Sequence, residues 1–179
     1  MLKLKKITED MSEKLFDMFQ EIPYDEPTQD RNIANGLDKE TFRKYCAMLE
    51  LADKNILLSY KVPQTTYYIL FDDDTPIGWF LLKQEKLPEG YLHAGHIGYT
   101  IRPSKRNMGY GTKGLNMMLD IAKNKGYKCV CVTTDDINTP SVKMLYKLGF
   151  KKLNKNNSLQ ILTKKVYDKM SQYKKDLKN

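Results

Sequence analysis

One segment of this sequence has the chemistry to hold a phosphate group. Arg106-Asn107-Met108-Gly109-Tyr110-Gly111 lies between a run that reads as a strand and a run that reads as a helix. Helix N-termini present unpaired N–H groups and the positive end of a dipole. Glycines there let the backbone come close to an anion. The segment is not a P-loop, since no Gly-Lys-Ser/Thr closes it, and it lacks the three-glycine spacing of a dinucleotide fingerprint. The bland alternative is an ordinary glycine-rich turn. His93 and His96 are the only histidines, and an imidazole suits proton abstraction near neutral pH. Their bland alternative is a sheet histidine with satisfied hydrogen bonds. Asn138 opens a later helical run, where its side chain can serve as a cap. The cysteines are Cys46, Cys129 and Cys131. An odd count without CxxC spacing argues against a disulfide framework and against a zinc site, so no metal is expected. Cys129 and Cys131 share one face of a strand, where small core residues are the simplest reading.

The elements that must position these residues follow from periodicity. Leu2 to Ile7 alternates as an edge strand. Thr8 or Asp10 can cap a helix over Met11 to Gln20, with Leu15, Phe16, Met18 and Phe19 on its apolar side. Asp38 with Thr41 opens a second helix, on which Phe42, Tyr45, Met48, Leu49 and Ala52 share a face. Thr65 to Phe71 and Ile77 to Lys83 form a hairpin across Asp72-Asp73-Asp74-Thr75-Pro76. Leu92 to Arg102 is a further strand, ended by Pro103. Leu115, Met118, Leu119 and Ala122 recur at helical spacing, and Gly126 stops that helix. Lys128 to Thr134 is a buried strand, joined to the strand before the helix by a parallel, right-handed crossover. A helix from Thr139 to Leu148 closes at Gly149. The last strands are Phe150 to Leu153 and Leu159 to Val166. The order is β-α-α-β-β-β-α-β-α-β-β, an α+β fold with a mixed central sheet of about seven strands and four main helices.

The bulk properties agree with a single domain over residues 1–179. The 179 residues are 41% hydrophobic and 29% charged, with a net charge of +8. A domain of this size buries enough surface to need no staples. No apolar run reaches the roughly 20 residues that span a bilayer. The first residues do not resemble a signal peptide, so a cytoplasmic location is expected. The basic excess is spread along the chain and is densest at Lys164-Lys165 and Lys174-Lys175. It reads as a solvated surface, although a ligand with several phosphates benefits from such a field. The basic residues do not cluster with a stacking platform, so nucleic acid is not an expected partner. Neither is a membrane.

The stretch Gly95 to Phe150 resembles the acetyl-coenzyme A-binding half of the GNAT superfamily of N-acetyltransferases. Gly95-His96-Ile97-Gly98-Tyr99-Thr100-Ile101-Arg102-Pro103 is similar to its fourth strand. Arg106 to Gly111 matches its Arg/Gln-x-x-Gly-x-Gly/Ala loop, while Asn138, Ser141 and Gly149-Phe150 match its next helical motif. The order of elements fits nearly the whole chain. Val62-Pro63-Gln64-Thr65-Thr66-Tyr67 and the Gly-His-Ile-Gly-Tyr run further resemble a bacterial branch described as predicted acetyltransferases.

The resemblance implies acetyl-CoA as co-substrate, with the acetyl group passing directly to a primary amine in a ternary complex. It places the pyrophosphate on the amides of Asn107, Met108, Gly109, Tyr110, Gly111 and Thr112, with Arg106 adding charge or bracing the loop. The sheet of the family splays between its fourth and fifth strands. That frees main chain near Tyr99, Thr100 and Ile101 to pair with the pantetheine arm, as a peptide strand adds to a sheet edge. Asn138 bonds the arm or the adjacent backbone, and Ser141 reaches the thiolate or packs against the cofactor.

Catalysis is less legible. Many members use a tyrosine seven positions after the motif's asparagine as the acid. Here that position is Leu145, and Tyr146 comes one residue later, turned by about 100° on a helix. The strand that carries a glutamate in many relatives has no acid between Tyr91 and Arg102, which leaves His96 as the candidate base. A bulge in that strand would change which residues share a face. The alternative function is a non-catalytic GNAT-fold module that senses acetyl-CoA. The acceptor is an amine on a small molecule or peptide, shaped by Glu21 to Asp38 with Tyr24, Asp25, Glu26, Asp30 and Arg31. Many members dimerise, so the resemblance admits a homodimer.

Overall fold

The computed structural model describes residues 1–25, 32–54, 63–87 and 95–152, and the backbone of 170–176. The elements are β1 (Leu2–Lys6), α1 (Ser12–Glu21), α2 (Lys39–Ala52), β2 (Thr65–Asp72), β3 (Thr75–Lys83), β4 (Ile97–Ile101), α3 (Tyr110–Asn124), β5 (Cys129–Asp135), α4 (Thr139–Lys147), β6 (Lys151–Lys152) and β7 (Met170–Asp176). From β1 to β6 their order is the one the periodicity predicts, while β7 falls on a segment for which no strand is predicted. Single 3-10 turns occupy Glu9–Met11 and Pro103–Lys105.

The strands form two sheets, ordered β1-β2-β3-β4 and β5-β7-β6. Every ladder among the described strands is antiparallel. The helix α3 does connect β4 to β5. These two strands touch without forming the continuous parallel ladder expected of a mixed sheet, because they diverge. The β2–β3 turn is tighter than predicted, with Asp73 at φ 50°. Pro76 lies within β3, beside a register shift in which Ile77 is the extra residue. The bulge lets a proline sit where a regular ladder needs its missing N–H.

Alternation along β2 and β3 sends side chains to two cores. On one face Leu70, Phe80 and Leu82 pack with Leu115, Met118, Val130 and Leu145. On the other, Ile69 and Phe71 pack with Leu15, Met18, Phe42 and Leu49. The first core draws α3 very close to β3. A Cβ on Gly114 would lie 2.3 Å from Phe80 Cζ, so only glycine fits.

Several local expectations change. Met48 is exposed, and Cys46 fills the α2 core position instead. Cys129 and Cys131 do share a face, but they are half-buried, and it is Val130 and Val132 that enter the core. Neither Thr8 nor Asp10 caps α1 with its side chain. The 3-10 turn leads the chain in, and the Glu9 amide donates to the Glu50 carboxylate at 2.9 Å. The Asp38 cap forms as predicted, accepting from the Thr41 amide at 2.9 Å and its hydroxyl at 2.8 Å. Gly126 and Gly149 terminate their helices at φ 84° and 81°, the left-handed closing turn that glycine favours. The predicted strand Leu159 to Val166 lies outside the described residues. Between β5 and β6 stands Met170–Asp176, whose lysine-rich sequence gave no strand signal.

Candidate active site

The strands β4 and β5 meet at one end and part at the other. At the closed end the His96 amide donates to the Cys131 carbonyl at 2.7 Å. The Cys131 amide donates back to His96 Nδ1 at 3.0 Å. Beyond that pair the strands separate around a cleft of about 710 Å³. Main chain of β4 forms one wall, β5 the other, and the first turns of α3 and α4 close its wide mouth.

The free edge of β4 is read from its pairing. Lys83 N–H donates to the His96 carbonyl at 2.8 Å, and Arg102 N–H donates to the Ile77 carbonyl at 3.0 Å. An antiparallel ladder alternates paired and outward residues. Gly98 and Thr100 therefore spend their main-chain groups on β3, while Ile97, Tyr99 and Ile101 turn theirs toward β5. Of the three residues expected to offer main chain, Thr100 lines the cleft but is turned inward. Ile101 offers its carbonyl to Arg106 Nε at 2.9 Å. Arg106 thus braces the loop onto the strand end.

The loop itself uses left-handed backbone twice, at Asn107 (φ 62°) and Gly109 (φ 79°). Gly109 is the N-cap of α3 and supplies no side-chain acceptor. The first-turn amides of Tyr110, Gly111 and Thr112 are consequently presented at the mouth. Lys105 and Arg106 line the same mouth. Met108 does not line it, and its side chain is exposed. The Tyr110 phenol donates to Asp72 Oδ2 at 2.8 Å, which ties the helix start to the β2–β3 hairpin. That carboxylate pushes the phenol's pKa up.

On the opposite side, Asn138 Oδ1 accepts from the Ser141 amide at 3.3 Å, so Asn138 is a cap of α4. Ser141 Oγ and Tyr99 Oη are 2.5 Å apart and join α4 to β4. Burial pushes the Tyr99 phenol up to about 12, against the opposing effect of the Ser141 hydrogen bond. Leu145, at the family's usual acid position, is fully buried in the core. Tyr146 is exposed and lies outside the cleft.

His96 has surroundings unlike those of a base. It does not line the cleft. Its Nε2 is 3.0 Å from the Glu85 carbonyl, so Nε2 carries the proton and donates. Its Nδ1 lone pair is already spent on the Cys131 amide. Burial holds its pKa below the ordinary value, which keeps the ring neutral. His93, Glu26, Asp30 and Arg31 lie outside the described residues. Tyr24 and Asp25 are exposed.

Two cleft features escaped the sequence reading. The family motif points to Tyr99 only through its main chain, yet its side chain carries a hydroxyl into the cleft wall. Trp79, on β3 opposite Thr100, lines the cleft as well. Its indole Nε1 is a buried side-chain donor with no acceptor, the one such atom among the described residues. Period-2 alternation from Phe80 could have placed Trp79 on the α1–α2 face, but not its unpaired donor.

Strand splay, an uncapped helix start behind a glycine loop, and an asparagine-capped helix opposite it define an acyl-coenzyme A fold. Residues 12–150 match the family described as Acetyltransferase (GNAT) family, and the chain belongs to it. It is an acetyltransferase by family. A search of curated proteins found no match. Among solved structures, it is similar to RimL, a ribosomal alpha-N-protein acetyltransferase in complex with coenzyme A. There the TM-score is 0.67 at 14% identity, covering 98% of this chain and 93% of that one. The microcin C7 self-immunity acetyltransferase MccE, in complex with acetyl-CoA and AMP, gives 0.67 at 13%, covering 98% and 92%. A ribosomal-protein-alanine N-acetyltransferase from Brucella melitensis gives 0.66 at 13%, covering 98% and 99%. At these identities the likeness shows the fold.

Proposed function

We propose that the protein transfers an acetyl group from acetyl-CoA to a primary amine, with the whole chain acting as one domain. One observation carries this reading: the uncapped start of α3 and the outward main chain of Tyr99 open onto one cleft. An extended ligand with a phosphate at its middle and amides along one arm fits that arrangement. The amides from Asn107 to Thr112 hold the pyrophosphate, including the main chain of Met108, whose side chain points away. Lys105 adds charge there, and Arg106 fixes the loop. The outward groups of Tyr99 pair with the pantetheine amides. Asn138 and Ser141 shape the far wall. Acetyl-CoA supplies the activated acyl group.

His96 serves as a positioning residue that holds the closed end of the cleft, since both ring nitrogens are engaged there, rather than as the base. The acceptor enters from the α1–α2 side, where Trp79 and the exposed Tyr24 and Asp25 lie. Among the described residues no helix is long and apolar enough to cross a membrane, and a cytoplasmic site of action suits the reading. Peptide N-termini belong in the acceptor panel beside small amines, since two of the similar structures are of acetyltransferases that act on ribosomal proteins.

Titration calorimetry with acetyl-CoA, followed by turnover across that panel, tests the reading. Binding in the micromolar range with turnover of at least one amine is expected. Absence of binding sinks it. Binding without turnover of any amine supports the sensor reading instead, which the outward-facing Tyr146 favours.

A further inference from the structure

We infer that the Tyr99 hydroxyl, held by Ser141, is the hydrogen-bond donor to the leaving sulfur in this cleft. The inference rests on acetyl-CoA being the ligand. It replaces the acid expected on α4, where Leu145 is buried and Tyr146 faces away.

The placement follows from the strand. Pyrophosphate at the mouth and the His96–Cys131 pair at the closed end fix the direction of the arm. It must run along the outward edge of β4, from Ile101 toward His96. Tyr99 lies two residues along that path, at roughly 3.3 Å of rise per residue. Its ring stacks on Phe80, with centroids 5.8 Å apart, so the hydroxyl is carried on a fixed lever. Ser141 Oγ sits 2.5 Å from it. The hydroxyl pair joins β4 to α4 beside the arm's route.

The chemistry balances without another reagent. The amine lone pair forms the C–N bond at the thioester carbon. The C–S bond breaks, and its electron pair stays on sulfur. Ser141 donates a hydrogen bond to the Tyr99 oxygen, and Tyr99 donates its own hydrogen bond to that developing thiolate. The proton released by the new ammonium neutralises sulfur, giving amide and thiol. Tyr99 ends in the form in which it began. A phenol raised to about 12 keeps its proton at neutral pH, so it serves as a standing donor. Such preorganised donors aimed at developing charge are a large part of catalysis in dry sites.

The test uses free coenzyme A, so no acceptor need be known. Thiolate absorbance is titrated against pH for coenzyme A bound to the parent, to Tyr99→Phe and to Ser141→Ala. The bound thiol should titrate below free coenzyme A in the parent, and about one pH unit higher than that in Tyr99→Phe. Ser141→Ala should fall between them, and the double variant should match Tyr99→Phe because the two hydroxyls act in series. With a turned-over amine, kcat of Tyr99→Phe should drop about 100-fold, while the Kd for acetyl-CoA stays within about threefold. Phenylalanine keeps the stacking on Phe80. If that variant does not fold, Ser141→Ala decides alone. A bound thiol that titrates identically in parent and variants overturns the inference and leaves the proposed function standing. Failure of coenzyme A to bind the parent overturns both.

Discussion

The two ends of β4 do opposite jobs with opposite materials. At the mouth, the work falls to main chain: left-handed turns at Asn107 and Gly109, uncapped amides, and an arginine that braces a carbonyl. At the closed end, a side chain shares it with a single backbone bond, from the His96 amide to the Cys131 carbonyl. The His96 imidazole bridges Cys131 on β5 and Glu85 beyond β3, and replaces the ladder that the two strands do not form. A backbone site suits an anion, because amide dipoles are fixed before the ligand arrives. A side-chain bridge suits a pin, because it ends the contact abruptly and lets the strands part. The cleft exists because one strand carries both.

Breaking the closed end should have the larger effect on stability. His96→Ala leaves the Cys131 amide and the Glu85 carbonyl unpaired and should cost about 3 kcal/mol, near the top of the range for a lost buried partner. Chemical denaturation measures it. His96→Gln should recover part of the loss, and turnover should survive in it; abolished turnover in a folded Gln variant would restore the base role. The pH dependence has a definite sign. Burial holds the folded pKa below the ordinary 6.5, so the unfolded chain takes up the proton first. Stability is full above about pH 6.5 and falls as pH drops from there toward the folded value. His96→Gln should remove that slope.

Breaking the mouth should do the reverse, costing binding more than fold. A Cβ on Gly109 meets nothing within 4 Å, so only its φ of 79° resists substitution. Gly109→Val should therefore destabilise by about 1–2 kcal/mol. The loop should relax that strain by turning amides away, and acetyl-CoA should bind about tenfold or more weakly. Calorimetry beside thermal melting separates the two effects. Unchanged affinity with reduced stability would mean the amides are not the anion site.

The same contrast explains what was legible in the sequence. Backbone sites advertise themselves through glycine spacing, so Arg106 to Gly111, the Asp38 cap and the closing turns at Gly126 and Gly149 could be read directly. Heptad-like spacing gave α3, and alternation gave the β2–β3 hairpin. Roles that depend on which way a side chain meets a distant element could not be read. His96 and Cys131 are 35 residues apart, and Tyr99 and Ser141 are 42 apart. Local pattern says nothing about either pairing. The strand Met170–Asp176 was invisible for a related reason: its composition is that of a solvated surface, and only its two neighbours make it a strand.

A smaller test concerns how the mouth is anchored. Glu21 at the end of α1 pairs with Arg102 and accepts from the Ser104 amide, holding the turn that follows β4. Burial pushes the Glu21 pKa up, but bonds from Ser104 and Arg102 outweigh it and leave it lowered. The sign follows: this stability is present above the ordinary carboxylate range and is lost as pH falls through the folded value. Glu21→Gln should cost about 1 kcal/mol, discounted for partial solvent exposure. It should also weaken acetyl-CoA binding slightly, since the turn leads into the loop. No change in binding would separate the anchor from the mouth.

The smallest expected effect lies between the two ends, at Trp79. Its indole N–H is shut from solvent and has no acceptor, although a buried donor without a partner typically costs about 1–3 kcal/mol. Trp79→Phe keeps an aromatic ring on the α1–α2 face and deletes that donor. Loss of the larger ring opposes the gain. Stability should therefore change by less than about 1 kcal/mol, in contrast to the roughly 2–5 kcal/mol usual for emptying a core position. Acetyl-CoA affinity should stay level, because the proposed anion contacts lie at the mouth. Acceptor KM is the sensitive readout. A donor-only group can recognise an acceptor oxygen but not an ammonium. A rise in KM confined to amines that carry a neighbouring carbonyl would give the unpaired N–H a partner in the ternary complex. An equal rise for all amines would make Trp79 a wall of the cleft and nothing more.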